Sequence, residues 1–288
     1  MNILLINTAK AKIYPKMFAE YLNKKGYQCF SSKWKKEDIF SMITAKNLSP
    51  ENTLIYARAA GPNVAKTYQE LEKLGYKIIN KSSTTELTSN KYNSQIFAKQ
   101  NGISVADTYK INKQDLEKIQ ELSKKYECVI AKPIFSQGQG LFCKKINKEN
   151  SLNEISELIA DIPGNDIIIQ EKIEYIKLIR VIVIGFKVLR AAATYDIPGI
   201  NNWKASVCMN NNIRKYEIIN NSLVDLAEKT AKKFDCGISF IDFFENKNGE
   251  FILNELNTAC GLIIHEKVSG IKIHEHISDY LIEEGLKI

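Results

Sequence analysis

The chain has 288 residues, 44% hydrophobic and 25% charged, the balance of a folded soluble protein, which excludes a disordered or fibrous one. Lys plus Arg number 40 and Asp plus Glu 33, a net charge of +7 with no block of like sign, so no basic arm for nucleic acid stands out. The six cysteines form no C-x-x-C pair, Met1 to Asn7 is too short for the apolar part of a signal peptide, and no apolar run approaches the ~18 residues of a membrane span; reduced thiols, no zinc site and a cytoplasmic location are expected.

Asn2 to Ile6 (NILLI) reads as a strand, Tyr14 to Lys25 as a helix stopped at Gly26, Leu54 to Arg58 as a second buried strand, Val64 to Leu74 as a helix, and Tyr76 to Asn80 as a strand. This alternation predicts a small parallel α/β domain. A helix from about Asn90 to Gln100 and another from about Lys113 to Lys125 follow. Cys128 to Ile134 (CVIAKPI) is then a strand entering the loop Ser136 to Gly140 (SQGQG), with an extended segment from Leu141 to Ile146 beyond it. No helix starts at these glycines, so the loop is neither a P-loop nor a Rossmann fingerprint. Ser151 to Ile162 is an amphipathic helix and Asp166 to Ile173 a strand. Arg180 to Ile184 and Lys187 to Ala193 read as a hairpin around Gly185-Phe186. After a helix from Ser222 to Phe234, Ile238 to Phe244 and Phe251 to Leu256 form a second hairpin around Asn248-Gly249, and Ile273 to Glu284 is the closing helix.

Four features carry chemistry. Counting back from the Asn248-Gly249 turn puts Asp242 and Glu255 near one another across the ladder, with Asn257 on the Glu255 face, so three oxygens suited to a hard cation such as Mg²⁺ converge. Lys132 ends an apolar strand just before the glycine-bearing loop, where a buried ammonium needs an anion. Only four of the 40 basic residues are Arg (Arg58, Arg180, Arg190, Arg214); Arg180 and Arg190, on partner strands, are placed to fork one anion, while Arg214 carries no such implication. Gln170 to Ile173 leave a buried strand where a chain would cross between two lobes. Each has a bland alternative: a polar hairpin face, a surface lysine beside a turn, too few arginines to interpret, an ordinary strand end. The three histidines are expected to be structural or superficial; His274 and His276, two apart, point to different faces of the closing helix, and no zinc-protease motif surrounds His265.

Taken in order, these segments resemble an ATP-grasp carboxylate-amine ligase of the RimK-like glutamate-ligase group over essentially the whole chain. The family's D-K at a helix start is matched by Asn90-Lys91 and its V-K-P-x-F-G-S-x-G-x-G loop by Ala131 to Gly140. Its Q-E-Y-I hinge is similar to Gln170 to Ile173, its D-x-R-V to Leu178 to Val181, its W-R-T-N-V to Trp203 to Val207, and its D…E-x-N-x-x-x-G to Asp242, Glu255, Asn257 and Gly261. The resemblance implies an α/β (α+β ATP-grasp) fold, with a Rossmann-like domain over 1–88, a small lobe with the lid loop over 89–168 and a large lobe with the Mg²⁺ site over 169–288, ATP lying between the lobes. It implies ATP contacts from Lys91, Lys132, Ser136, Gln137, Gly138, Gln170, Glu171, Lys172, Ile173, Lys204 and Ser206. It also implies Mg²⁺, two ions with Mn²⁺ able to substitute, on Asp242, Glu255 and Asn257, catalytic roles for Arg180 and Lys132, and substrate contacts from Arg58, Arg190 and Gly261. The implied reaction joins an amino acid, glutamate by default, to a small-molecule or peptide acceptor through an acyl phosphate, in a homo-oligomer with no nucleic-acid or membrane partner. The loop and the Trp203 segment look most like members that glutamylate a tetrahydromethanopterin-type cofactor.

The sequence departs from the family at the missing Gly before Ser136, at Leu178 for an acid, at Lys204 and Ser206 for Arg and Asn, and at Asn210-Asn211 for a Gly pair. The departures at Leu178, Lys204 and Ser206 motivate an alternative, a nucleotide-binding regulatory or interaction module with weakened catalysis.

Overall fold

A computed structural model describes residues 1–7, 13–135, 140–199, 203–207 and 212–288. The N-terminal third alternates β1 (Asn2–Asn7), α1 (Ile13–Lys24), β2 (Gln28–Lys33), α2 (Lys36–Ala45), β3 (Thr53–Arg58), α3 (Pro62–Lys73) and β4 (Lys77–Ile79). Their sheet, ordered β2-β1-β3-β4, is wholly parallel. Helices cover both faces, so β1 and β3 are nearly continuous apolar runs with almost every residue buried. The sequence shows these two strands plainly. It hides β2 and α2, because QCFSSK is half polar and α2 buries only Ile39.

Next come α4 (Ser82–Ser89), α5 (Lys91–Gln100), β5 (Thr108–Asn112), α6 (Leu116–Lys125), β6 (Cys128–Pro133), β7 (Lys144–Asn147), α7 (Leu152–Ile159) and β8 (Asp166–Glu171). Strands β5-β8-β6-β7 form an antiparallel sheet. Its apolar face packs on α6 and α7 around Ile119, Leu122, Val129, Ile155 and Ile167. Ser151 starts α7 with a capping box: its hydroxyl accepts from the Glu154 N–H, and the Glu154 carboxylate accepts from the Ser151 N–H.

The last part holds β9 (Lys177–Ile184), β10 (Lys187–Val188), β11 (Thr194–Asp196), β12 (Arg214–Lys215), α8 (Asn221–Lys233), β13 (Ile238–Glu245), β14 (Phe251–Asn257), α9 (Ile263–Ser269) and α10 (Ile273–Gly285). Its sheet runs β12-β11-β9-β13-β14, with β10 paired to β9. One face of β9 and β13 meets α8 and α5 through Val181, Val183, Ile241, Phe243, Leu223 and Ala98. The other face shares a core with the N-terminal sheet, where Ile182, Ile238 and Phe240 meet Ile3, Leu5, Leu54 and three α10 residues, Ile273, Ile277 and Leu281. Burying each such side chain fully contributes about 1.5–3 kcal/mol. Asn80, just after β4, makes a paired bond with Ile238, donating to its carbonyl at 2.8 Å and accepting from its N–H at 3.0 Å. The start of β13 is thereby held against the N-terminal domain.

The hairpin at Asn248-Gly249 is looser than a two-residue turn. Gly249, at φ 77°, donates to the Asn246 carbonyl, and Asn246 donates to Glu250. Near the turn Phe243 faces Leu253; the register then shifts, and beyond it Asp242 faces Glu255. Asn254 is the extra residue of this bulge, and its carbonyl accepts from Gln95 of α5 at 2.7 Å.

Candidate functional site

Hydrogen-bonded register places five residues on one rung across the large sheet: Lys215 opposite Thr194, Thr194 opposite Arg180, Arg180 opposite Asp242, and Asp242 opposite Glu255. Directly opposed residues share a face of an antiparallel sheet. Asn257, two residues beyond Glu255, belongs to that face as well. The juxtaposition of Asp242 and Glu255 expected from the turn is therefore present, with the Asn254 bulge setting its phase.

Arg180 and Asp242 are 3% and 4% exposed. The guanidinium forks the carboxylate, with Nε to Oδ1 and Nη2 to Oδ2 both at 2.7 Å. Burial raises the Asp242 carboxyl above its usual range against the pull of Arg180. Nη1 of Arg180 donates to the Cys260 Sγ at 2.6 Å and points at His265 Nε2 at 3.5 Å. A guanidinium can only donate, so Nε2 presents its lone pair and the imidazole proton lies on Nδ1, which donates to Thr194 Oγ1 at 2.8 Å. Burial, with Arg180 adding to it, pushes the His265 pKa down to about 3, and the ring stays neutral. His265 thus has the structural character expected of it, yet it sits beside the rung. Its only sequence signal is its position four residues after Gly261.

The other half of the site comes from the small sheet. Lys91 is the first residue of α5, whose cap is the Asn90 side chain accepting from the Asn93 N–H. The Lys91 N–H donates to the Ile134 carbonyl at 2.9 Å, fixing the helix start against the end of β6. Its ammonium reaches Glu255 Oε1 at 2.9 Å. Burial opposes the Lys91 charge, but Glu255 outweighs it and holds the pKa above the ordinary lysine range. Burial likewise works to raise Glu255, but Lys91, helped by Lys132 and Arg180, holds that carboxyl below its usual range. Lys132 has a neutral partner, Gln170 Oε1 at 2.5 Å; burial lowers its pKa and the nearby Lys91 adds to that. Gln170, itself 4% exposed, is oriented by donating to Thr108 Oγ1 at 2.9 Å. Two ammonium groups and Asp242, Glu255 and Arg180 thus meet where the start of α5 and the end of β6 come beside the large sheet.

Other expected residues lie around this centre. Glu171 accepts from the Asp107 N–H at 3.3 Å, Lys172 pairs with Glu174, and Ile173 is half-buried. Lys204 donates to the Cys143 carbonyl at 2.8 Å, joining the Trp203 segment to the chain leaving the lid loop, and the Ser206 N–H donates to Asp196 at 2.7 Å. Ser136, Gln137 and Gly138, expected on phosphate, fall outside the described residues, as do Asn210 and Asn211.

Arg190 corrects an expectation. It lies in a short 3₁₀ turn, Arg190–Ala192, and its exposed guanidinium bonds Asn221 at 2.6 Å. β10 ends at Val188, so Arg190 has left the strand before it could share an anion with Arg180. Arg214 is exposed on β12. His274 bonds Glu266 through Nδ1 at 2.8 Å, and His276 is exposed.

Among the described residues no group of three or more His, Cys, Asp or Glu side chains is arranged for a metal. The oxygens of a kind that suits a hard cation are the Asn257 amide and the two carboxylates of the rung, of which Asp242 is forked by Arg180 and Glu255 is paired with Lys91. No helix among them is long and apolar enough to cross a membrane, and none of the five described cysteines is in a disulfide.

Residues 88–281 match the model of the RimK-like ATP-grasp domain. The chain belongs to this family. Solved ATP-grasp structures share the fold over nearly the full length. D-alanine–D-alanine ligase from Bacillus anthracis is 18% identical, with 100% of this chain and 98% of that one covered at a TM-score of 0.73. The ATP-grasp ligase PsnB, complexed with a phosphomimetic variant of its minimal precursor, Mg and ADP, is 14% identical, with 98% of each chain covered at 0.73. The macrocyclase MdnC from Microcystis aeruginosa MRC, bound with its precursor peptide MdnA, is 12% identical, with 98% of this chain and 100% of that one covered at 0.73. A search of curated protein sequences found no match. The α/β architecture expected from the sequence, a Rossmann-like domain followed by two α+β lobes, is the ATP-grasp fold of this RimK-like chain.

Proposed function

We propose that this RimK-like protein is an ATP-dependent carboxylate-amine ligase. It would join an amino acid, glutamate favoured, to a small-molecule or peptide acceptor, with the three domains divided at 88 and 168. The observation that carries the reading is the meeting of Lys91 and Lys132, from the small lobe, with the opposed carboxylates Asp242 and Glu255 of the large lobe. Such a cleft offers ammonium groups to nucleotide phosphates and oxygens to a divalent cation.

In this reading Lys91 and Lys132 hold the phosphates, and Gln170 to Ile173 border the base and ribose. Lys204 and Ser206 would serve the phosphate end. Asp242, Glu255 and Asn257 would hold Mg²⁺, two ions in all, with Mn²⁺ able to substitute; the cation supplies charge neutralisation for phosphoryl transfer. The substrate carboxylate takes the γ-phosphoryl group and releases ADP. The acceptor amine then displaces phosphate and leaves an amide. Arg180 acts as a positioning residue, because its fork holds Asp242 and its third nitrogen meets Cys260 and His265. Exclusion of water by the closed lobes protects the acyl phosphate. That PsnB and the D-alanine–D-alanine ligase are ligases and MdnC a macrocyclase supports the reaction class.

The test is phosphate release from Mg-ATP across a grid of amino acids and acceptors, with product masses measured. Amino-acid-stimulated ADP release and a product heavier by one residue are expected. ATP binding with no stimulated turnover across the grid would replace the ligase reading with that of a nucleotide-binding module.

A further inference from the structure

The charged rung has a neighbour on the same face of the large sheet. Two residues along each strand, Asp196 of β11 stands opposite Leu178 of β9, and Leu178 stands opposite Phe244 of β13. The segment 203–207 is tied to both ends of this second rung. Residues 203–206 belong to no helix or strand, so their backbone groups need partners elsewhere. The Ser206 N–H has the Asp196 carboxylate at one end of the rung, itself 1% exposed. The Trp203 carbonyl and the Ala205 N–H share a single phenol, that of Tyr175. Its hydroxyl donates to the carbonyl at 3.0 Å and accepts from the N–H at 2.9 Å.

Those two groups belong to the peptide units on either side of Lys204. The backbone has only two soft dihedrals per residue, so a clasp on both units fixes the direction in which the Lys204 side chain leaves the chain. Its ammonium lies on the Cys143 carbonyl at 2.8 Å, and the Cys143 thiol is close enough to Lys91 and Lys132 to act on their charges. Tyr175 is held in its turn. Its ring stacks on Phe244, at the other end of the second rung, with centroids 4.4 Å apart and planes inclined by 30°. The next residue, Ile176, donates its N–H to the Glu245 carbonyl at 2.8 Å. A phenyl ring would stack on Phe244 equally well, so what the hydroxyl adds is its grip on the peptides of Lys204. Tyr175 also lies in the connector between β8 of the small sheet and β9 of the large one, outside every segment that carries the family resemblance.

We propose that Tyr175 is a positioning residue, whose hydroxyl clasps the backbone at Lys204 and thereby aims that ammonium at the nucleotide phosphates. The assignment rests on the ligase reading, in which Lys204 serves the phosphate end, and names the residue that orients it.

The test uses the full chain carrying Trp34→Phe, which leaves Trp203 as the sole tryptophan. Into this parent go Tyr175→Phe, Lys204→Met and the two together. Calorimetry measures affinity for the Mg²⁺ complex of the β,γ-imido analogue of ATP, and acrylamide quenching reads the exposure of Trp203 without ligand. Tyr175→Phe and Lys204→Met are each expected to weaken the analogue about tenfold, and the double variant to bind about as well as Lys204→Met alone, because the hydroxyl acts through that lysine. Trp203 should be quenched more readily in Tyr175→Phe than in the parent. Parental affinity in either single variant overturns the proposal. So does a double variant weakened about 100-fold, the additive result, which would send the effect of the hydroxyl along another route. Unchanged quenching of Trp203 would show that the segment keeps its place without the phenol, and overturns it as well. A Tyr175→Phe chain that no longer unfolds cooperatively in urea would make the phenol a staple of the fold and equally overturn it. Failure of the ligase reading looks different: the parent itself would not bind the analogue.

Discussion

Lys91, the first residue of α5, and Glu255, near the end of the last strand of the large sheet, form an ion pair of 2.9 Å across 164 residues of sequence. The pair ties the start of α5 to the Glu255 end of the rung on the large sheet. The Lys91 and Glu255 side chains are 22% and 25% exposed, so the pair is partly desolvated and solvent still screens part of the contact.

Replacing Lys91 by Met is accordingly expected to destabilise the protein by only about 1 kcal/mol. Turnover of Mg-ATP should fall roughly 100-fold, the scale of losing one electrostatic contact to a transferring group. A urea titration and steady-state kinetics on the same variant separate the two effects; a large stability loss with normal kinetics would make the pair a lobe clamp only.

Lys132→Ala and Glu255→Gln are each expected to reduce turnover by about 1,000-fold or more while leaving the far-UV spectrum and the unfolding cooperativity intact. Full activity in either variant would remove that residue from the site.

The buried fork between Arg180 and Asp242 behaves differently. Arg180→Met leaves a buried carboxylate uncompensated and is expected to lose about 3–5 kcal/mol of stability, whereas Arg180→Met with Asp242→Leu should recover much of that loss. Activity should be absent from both. A double variant no more stable than the single one would show that the fork is worth more to the fold than its desolvation costs.

His265 makes stability depend on pH. The folded ring titrates at about 3, held down by burial and then by Arg180, against 6.5 when unperturbed. Between those values the unfolded chain binds a proton that the folded protein refuses. The contribution is therefore full above pH 6.5 and is lost as the pH falls towards 3. From pH 7.5 to 5 the wild type should lose about 2 kcal/mol more than His265→Gln. Equal pH dependence of the two urea midpoints would sink the assignment.

The cap of α7 is a local case. Ser151→Ala removes the acceptor of the Glu154 N–H and is expected to cost about 1 kcal/mol, with no change in kinetics. Thermal unfolding checks the first expectation and turnover the second.

Most of this architecture was legible because apolar strands and glycine-stopped helices announce themselves. β1, β3 and β9 are continuous apolar runs, and α5 and α8 are bounded by good caps. Elements without an apolar stripe were not legible: β2, α2, and the serine- and threonine-rich α4, which is buried through Thr84, Thr85 and Ser89 rather than aliphatic residues. In the site, the Asp242 and Glu255 pairing followed from turn counting. The partners of each charge did not, since pattern cannot say that Gln170 would take the Lys132 ammonium or that Cys260 would stand between two arginines. Arg190 was misplaced because a two-residue β10 and a 3₁₀ turn have the same composition as a continuing strand.

The bulge at Asn254 has a consequence for how this hairpin tolerates change. Because the irregularity lies between the turn and Glu255 and is anchored by Gln95, a residue gained or lost among 246–250 can be absorbed before the offset reaches the charged rung. A single-residue deletion on the far side, between Glu255 and Asn257, has no such buffer and would invert which oxygens look into the cleft. Loop-length variation among homologous chains should therefore collect at the tip of this hairpin and be absent from its base.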